Sequence, residues 1–226
     1  MSVRLVPILT ALLAALALAA CGSSANTSSR SSTSASASAS QTSSATSTPA
    51  SGQLSYESVP LEVGPPLGPA STTQTGKVDG INCGPTEQLA YHIHAHLAVF
   101  SDGRLYSLPA GIGIPGSTAQ ETNQGPVAAG GQCIYWLHTH TSDGVIHIES
   151  PIQRIYTLGN FFDEWHQPLS SDKVASLHGH ITAFVNGKAW TRSLRDIPLL
   201  PHALIQFDLG QPIPPLMSVN WSQTGL

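Results

Sequence analysis

Three of the four Asp-Gly or Asn-Gly pairs in this chain lie between two segments in which apolar and polar residues alternate, and these three constrain the fold most strongly. Such pairs favour the two-residue turns that join neighbouring antiparallel strands, because these turns need residues that tolerate positive φ. We therefore predict three β-hairpins. Their turns lie at Asp102-Gly103, Asp143-Gly144 and Asn186-Gly187.

The alternating segments on either side of these turns give the bounds of the predicted strands. The first hairpin is predicted to join residues 92–101 to residues 104–109, and the second to join residues 133–142 to residues 145–150. A further strand is predicted over residues 203–209. Period-two alternation is typical of strands that bury one face and leave the other polar.

A single helix is predicted between the second and third hairpins. Four large apolar side chains recur there at helical spacing: Leu158, Phe161, Phe162 and Trp165. Thr157 is a suitable N-cap and Pro168 ends the run. One short helix that covers mainly antiparallel hairpins predicts an α+β domain. We expect it to be β-grasp-like, with a β-sandwich as the alternative.

The first residues of the chain indicate export. Arg4 precedes an apolar run that extends from Leu5 to Ala20 and then meets a Ser-rich stretch. This run is shorter than the ~20 residues of a membrane-spanning helix, and it has the order of segments that is typical of a signal peptide. We therefore interpret residues 1–20 as a cleaved signal peptide.

The segment Leu18-Ala19-Ala20-Cys21 resembles the lipobox of bacterial lipoproteins. The resemblance implies cleavage before Cys21 and attachment of acyl chains, such as palmitate, to that residue. Two or more acyl chains give stable anchoring to a membrane. We therefore expect a lipid-anchored protein on the exported side of the cell envelope, in the periplasm or at the cell surface. The alternative is a secreted protein whose cleavage site happens to precede a cysteine.

The composition of the chain changes sharply after the predicted signal peptide. Residues 22–52 are nearly all Ser, Thr and Ala, so they cannot form an apolar core. Together with a Pro/Gly-rich stretch they predict a disordered tether over residues 21–77, with a random-coil span of about 40 Å. We expect a single β-rich domain over residues 78–210 and an irregular tail over residues 211–226.

Charge and cysteine content restrict partners and covalent structure. The net charge is −4 and the basic residues are scattered singly, whereas a nucleic-acid binder would cluster them. No nucleic-acid partner is therefore expected. Because disulfides persist in exported proteins, Cys83 and Cys133 are predicted to form one. The alternatives are two buried thiols or a thiol that binds metal.

The ten histidines carry the strongest functional signal. Eight of them form alternating sets: His92, His94 and His96; His138 and His140 with His147; and His178 with His180. Successive strand side chains point to opposite faces, so each set places its imidazoles on one face and apolar residues on the other. The remaining two, His166 and His202, are predicted to be solvated.

The second hairpin predicts the most specific site. A two-residue turn there fixes three cross-strand pairs: Ser142 with Val145, His140 with His147, and His138 with Glu149. Three imidazoles then share one face and can lean toward a common ion. Glu149 is expected to be a fourth ligand or to orient one. The histidines of the first strand either complete this site or form a second one.

The donor types indicate which metal to expect. Neutral imidazole with an optional carboxylate suits Zn, Cu(II), Ni or Fe, whereas the scarcity of Met disfavours a soft Cu(I) site. Zn is our first choice, because three histidines with one open position are a familiar zinc arrangement, and Cu(II) is the second. For His178 and His180, which flank Gly179, ligand and solvated interpretations both stay open.

Three sequence blocks, HIHAHL, WLHTHTSDGVIHIESP and YTLGNFFDEW, together resemble a family of uncharacterised bacterial envelope proteins over about residues 80–210. The resemblance implies an envelope location but no activity. Our leading hypothesis is a tethered domain that captures, buffers or delivers a transition metal, and it is favoured over a catalytic role. One alternative is a zinc hydrolase or hydratase in which Glu149 is the base. The other is a scaffold or partner-binding module without metal.

Overall fold

The computed structural model describes residues 52–70 and 73–226 of the chain. The predicted signal peptide, Cys21 and the Ser/Thr/Ala-rich part of the tether lie outside the described residues. Within the described part, no helix is long and apolar enough to cross a membrane.

Short strands account for most of the regular structure. In chain order they are β1 (Lys77–Val78), β2 (Ile81–Gly84), β3 (Tyr91–Ser101), β4 (Arg104–Tyr106), β5 (Gln120–Thr122), β6 (Gly125–Val127), β7 (Ile134–Tyr135), β8 (Leu137–His138), β9 (Val145–Ser150), β10 (Tyr156–Thr157), β11 (Lys173–Val174), β12 (Leu177–His178), β13 (Ile181–Val185), β14 (Lys188–Trp190), β15 (Pro198–Leu199) and β16 (Ala203–Leu209). The helices are α1 (Leu158–Glu164) and two single 3-10 turns, Leu194–Asp196 and Trp221–Gln223.

A seven-stranded sheet forms the centre of the fold. Its strands follow the order β14-β13-β16-β3-β9-β8, and β4 also pairs with β3. The first and third predicted hairpins and the predicted strand over Ala203–Leu209 are confirmed. A mainly β architecture with one α-helix agrees with the predicted α+β class, whereas the β-grasp arrangement is not confirmed.

The pairing of β16 with β3 was not predicted. These two strands are parallel, with Ala203 opposite Ala95 and Leu209 opposite Ser101. Hairpin turns predict only local antiparallel pairs, because a parallel pair requires a long connection whose path no local pattern specifies. The remaining small sheets are β1-β2-β7, β5-β6, β10-β15 and β11-β12.

The second hairpin forms, but the predicted register is wrong. His138 lies opposite His147, whereas the two-residue turn placed it opposite Glu149. The shift is two residues. Because side chains alternate with a period of two, an even shift keeps every residue on its predicted face. The histidines therefore still share a face.

The cause of the shift lies in the segment that follows β8. The backbone N–H of Thr139 donates to the carbonyl of Ile112, and the N–H of Ala128 donates to the carbonyl of His140. Because residues 139 and 140 form backbone hydrogen bonds with these other segments, β8 ends at His138 and its pairing with β9 does not continue to the turn. The connection is therefore longer than the two residues that an isolated Asp-Gly hairpin would have.

The helix covers the apolar face of the central sheet, as predicted. Thr157 is its N-cap, and its hydroxyl and backbone form a reciprocal capping box with Asn160. Phe161, Phe162 and Trp165 are fully buried in the main core, together with the odd-numbered apolar residues of β3. This layer contains most of the apolar core.

The opposite face of the sheet is covered by segments from both ends of the described chain. Val59 packs with Val145 of β9 and Val219 of the tail in a small apolar cluster. Residues 53–70, which the sequence analysis places in the tether, thus pack on the domain. Leu, Val and Glu are absent from residues 22–52, and here Glu57, Val59, Glu62 and Leu67 are buried.

The predicted disulfide is confirmed. Cys83 of β2 is bonded to Cys133, which precedes β7, and their Cα atoms lie 5.4 Å apart. The bridge thus lies beside the pairing of β2 with β7. Ile81 of β2 and Tyr135 of β7 are buried in the main core.

Candidate metal centre

A row of three imidazoles crosses the central sheet on the face opposite the helix. Strand β9 lies between β3 and β8, and the register aligns His94, His147 and His138 across these strands. The His94 and His147 ring centroids are 4.6 Å apart, and those of His138 and His147 are 5.4 Å apart. The two hairpins are therefore neighbours, and their histidines form one cluster.

Other side chains extend this row along the strands. His92 lies opposite Glu149, and the ring of His140 is 4.7 Å from that of His147. The donor atoms fall into two groups, each with all its atoms within 4.8 Å of one another: His92, His94, His147 and Glu149; and His138, His140, His147 and Glu149. These side chains, mostly buried, could hold a metal ion.

Two backbone carbonyls orient the imidazoles of His138 and His140. The Nδ1 atom of His138 lies 2.9 Å from the carbonyl oxygen of Tyr135, and that of His140 lies 2.8 Å from the carbonyl oxygen of Ala128. A carbonyl oxygen only accepts, so each Nδ1 carries the hydrogen. In the neutral rings both Nε2 atoms are then unprotonated, yet they face each other at 3.1 Å.

The second pair of imidazoles has similar spacing. The Nε2 atoms of His92 and His94 are 2.9 Å apart, and Glu149 Oε1 lies 3.2 Å from His92 Nε2. Donors at roughly 2.0–2.1 Å from a tetrahedral ion lie about 3.3 Å from one another. Both pairs therefore have nearly the spacing of two ligands on one ion.

No family model, curated protein or solved structure matches this chain. The resemblance to uncharacterised envelope proteins therefore stays an expectation. The assignment of the site depends on its own geometry and electrostatics.

Burial keeps two imidazoles of the cluster neutral. It lowers the pKa of His138 well below the usual value, and the nearby His147 and His140 act in the same direction. Burial likewise lowers the pKa of His94 to about 3, with His147 and His92 adding to the effect. Because metals bind the neutral ring, these histidines are in the ligand form at neutral pH.

His147 differs from its neighbours because it lies between two carboxylates. Its Nδ1 is 3.2 Å from Glu149 Oε1 and its Nε2 is 3.0 Å from Glu57 Oε1. Burial alone would lower the pKa of His147, but hydrogen bonds to Glu149 and Glu57 outweigh it and raise the pKa to about 9. The ring therefore carries two protons at neutral pH, and a metal ion that binds it displaces one.

Sequence reasoning missed two carboxylates. Glu57 belongs to the segment assigned to the tether, and Glu87, from the loop before β3, has its Oε1 3.3 Å from His140 Nε2. The return of Leu, Tyr and Val at residues 54–61 could have indicated that Glu57 is part of the fold. No spacing or motif marks Glu87, because it reaches the cluster through a long-range contact.

The prediction that His96 is a ligand is corrected by its position. It shares the face of His92 and His94, but it belongs to neither donor group. Its partner on β9 is Val145, and its Nε2 lies 3.8 Å from Glu62 Oε1. Burial lowers the pKa of His96 to about 4. Strand alternation predicted the face of His96 correctly. His96 lies too far along β3, however, to join the donor atoms of the cluster.

His178 and His180 also lie outside both donor groups. They are exposed, because β12 ends at His178 and β13 begins only at Ile181, so strand alternation does not extend over this stretch. His180 lines a different cleft, beside Trp190. The solvated interpretation therefore applies to this pair, as it does to the exposed His166 and His202.

The cluster opens to solvent on one side. A cleft of about 370 Å³ is lined by four of its histidines, by Glu149 and by residues of both terminal segments. The side chain of His92 is 39% exposed, whereas that of His138 is fully buried. The cluster is thus accessible to solvent at His92, whereas His138 is not.

Proposed function

We propose that this protein binds a transition metal ion at the His/Glu cluster and serves in metal capture, buffering or delivery at the cell envelope. The observation that carries the proposal is the pair of Nε2 atoms of His138 and His140, which face each other at 3.1 Å with both Nδ1 atoms held by carbonyls. Only a shared proton or a cation reconciles two such lone pairs. Burial disfavours the proton on His138.

The surroundings of these rings support a metal as the cation. Histidine ligands in metalloproteins usually donate their other ring N–H to a carbonyl or carboxylate, which fixes the ring orientation. His138 and His140 have this arrangement through Tyr135 and Ala128. A set of imidazoles with a carboxylate favours Zn first and Cu(II) second.

Metal content tests the proposal directly. The full-length protein is purified in detergent without a His tag, loaded with Zn, desalted and measured by elemental mass spectrometry. We expect bound Zn in the natural chain and at least tenfold less in a variant in which His92, His94, His138 and His140 are all replaced by Ala. The matched control is His178→Ala/His180→Ala, which removes an exposed pair and retains the metal. Negligible metal in the natural chain, or equal metal in all three, overturns the proposal.

The envelope location is a separate part of the proposal. It is supported by residues 1–21, in which an apolar run ends on a lipobox-like Cys21. Phase partition in a clouding detergent tests it. The natural chain is expected in the detergent phase and a Cys21→Ser variant in the aqueous phase, whereas an aqueous natural chain contradicts lipid anchoring.

A metal-dependent hydrolase is a second candidate function, favoured by the cleft beside the cluster. A metal ion held by these histidines would lower the pKa of a water at the cleft, and Glu149 would orient or deprotonate that water. The test is hydrolysis of activated carboxylate and phosphate esters by the Zn-loaded protein. A rate above that of free Zn that is lost in Glu149→Gln, with metal retained, supports an enzyme. A rate equal to that of free Zn removes this candidate.

A further inference from the structure

The two donor groups have different members at their two ends. His92 and His94 come from β3, whereas His138 and His140 come from β8 and the segment after it; only His147 and Glu149 belong to both groups. Because β9 separates these strands, β3 and β8 lie about 9–10 Å apart. Donors to a single ion lie within about 4 Å of one another. The two pairs share no group of donor atoms within 4.8 Å of one another, so one ion cannot contact all four imidazoles at once.

The carboxylate of Glu149 lies between the two pairs with its oxygens divided. Oε1 is 3.2 Å from His92 Nε2, and Oε2 is 3.8 Å from His138 Nε2. Glu149 is only 3% exposed, and its Oε2 has no hydrogen-bond partner within the described residues. A buried carboxylate oxygen without a donor is costly, and a cation placed beside it removes that cost. This orphaned oxygen points toward the group that contains His138 and His140.

Nearby carboxylates provide charge for more than one cation. Glu57 lies beside His147, Glu87 lies beside His140, and Glu149 lies beside His92. Three carboxylates thus border the cluster of five histidines. Two divalent ions would bring four positive charges, of which the carboxylates compensate three.

We propose that the cluster holds two divalent transition-metal ions bridged by the carboxylate of Glu149, an inference that rests on the proposed metal-binding function. The outer ion is bound by His92, His94 and Glu149 Oε1. The inner ion is bound by His138, His140 and Glu149 Oε2, and His147 completes one of the two. Bridged ions in two-metal sites lie about 3.5–4 Å apart.

The two ions differ in access to solvent. His92 is 39% exposed and borders the cleft, whereas His138 is fully buried. The outer ion is therefore the one that exchanges with solution or contacts a small ligand. The inner group also borders the cleft through His140, but its other imidazole, His138, is fully buried, so the inner ion is expected to exchange more slowly.

Titration with Cu(II) tests the inference, because bound Cu(II) can be counted by mass spectrometry and its spin measured by electron paramagnetic resonance. The full-length protein in detergent is expected to bind two equivalents. His92→Ala/His94→Ala and His138→Ala/His140→Ala are each expected to bind one. The His178→Ala/His180→Ala control binds two. Circular dichroism verifies that each variant is folded.

The spin signal tests the bridge. Two Cu(II) ions about 4 Å apart interact magnetically, so the doubly loaded protein is expected to give a coupled spectrum and each single-site variant an uncoupled one. Glu149→Gln is expected to lose the coupling. A single equivalent that either double variant abolishes overturns the two-ion inference while leaving metal binding intact, and two uncoupled ions overturn the bridge. No bound copper or zinc at all instead removes the proposed function.

Discussion

The two faces of the central sheet are made by the same strands but have opposite properties. On β3 and β9, one set of alternate residues packs under helix α1 in the apolar core, and the other set presents the histidine cluster. The apolar face is completed by a helix next to the hairpins in sequence. The histidine face is completed by residues 53–62 and by the C-terminal tail, which are distant in sequence.

The difference shows where stability and function lie in this fold. The apolar side chains of the core need only burial and volume, so many sequences could serve the same purpose. The imidazoles require a defined tautomer, and the Nδ1 partner that fixes it is a carbonyl for His138 and His140 and a carboxylate for His147. Substitutions on the first face should therefore change the free energy of unfolding, and those on the second should change metal binding.

The largest effect is expected on the apolar face. Phe161 is fully buried in the main core, so Phe161→Ala leaves a cavity and should lower the free energy of unfolding by about 3–5 kcal/mol. Chemical denaturation of the metal-free protein measures this loss. The variant, where folded, should bind as much metal per chain as the natural protein. A loss of stability below about 1 kcal/mol, or loss of metal from folded chains, would contradict the claim that the apolar face determines stability and the histidine face determines metal binding.

A smaller effect is expected from metal on the histidine face. A ligand that binds only the folded state at 100 times its dissociation constant stabilises that state by about 2.7 kcal/mol. Zn at this excess should raise the denaturation midpoint of the natural chain and of the His178→Ala/His180→Ala control. The shift should be smaller in His138→Ala/His140→Ala, which keeps only the donor group that contains His92 and His94. An equal shift in all three proteins would place the bound metal elsewhere.

The smallest effect, per unit of pH, concerns Asp143, beside the histidine face. Burial and then the charge of Glu57 raise the pKa of Asp143 from 3.8 to about 7. Between these values the folded state holds a proton that the unfolded state releases. The contribution of Asp143 to stability is therefore greatest below pH 3.8 and falls as pH rises to 7, by at most about 1.4 kcal/mol per pH unit.

The comparison protein for this measurement is Asp143→Asn, which does not titrate and can keep the contacts with Ser55 and Val145. Metal-free unfolding is measured for both proteins from pH 4 to pH 7.5. The stability of the natural chain relative to the variant should decrease with rising pH. A constant or increasing difference would show that Asp143 is ionised in the folded protein at acidic pH.

Local patterns were sufficient for much of the fold. The turns at Asp102-Gly103 and Asn186-Gly187, the N-cap at Thr157 and the strand Ala203–Leu209 all depend on neighbours in sequence. The parallel pairing of β16 with β3 could not be predicted, since it joins strands about a hundred residues apart. The register of the second hairpin was missed because backbone bonds at Thr139 compete with the turn.

The candidate site was also predicted in part: local patterns identified its histidines, and tertiary packing determined the rest. Alternation identified His92, His94, His138, His140 and His147 as members of shared faces, and the structure brings all five together with Glu149. It did not show that His96 lies beyond the cluster, because a period of two gives the face but not the neighbour on the adjoining strand. Glu57 and Glu87 reach the site only through tertiary packing, which no local pattern reports.

The most direct measurement is the anomalous X-ray scattering of a crystal grown with Zn, recorded on both sides of the zinc absorption edge. The account predicts an anomalous peak about 2.0–2.2 Å from the Nε2 atoms of both His138 and His140, with their Nδ1 atoms still at the carbonyls of Tyr135 and Ala128. A crystal with Zn bound only at other residues, or with these two rings turned away from each other, would contradict it.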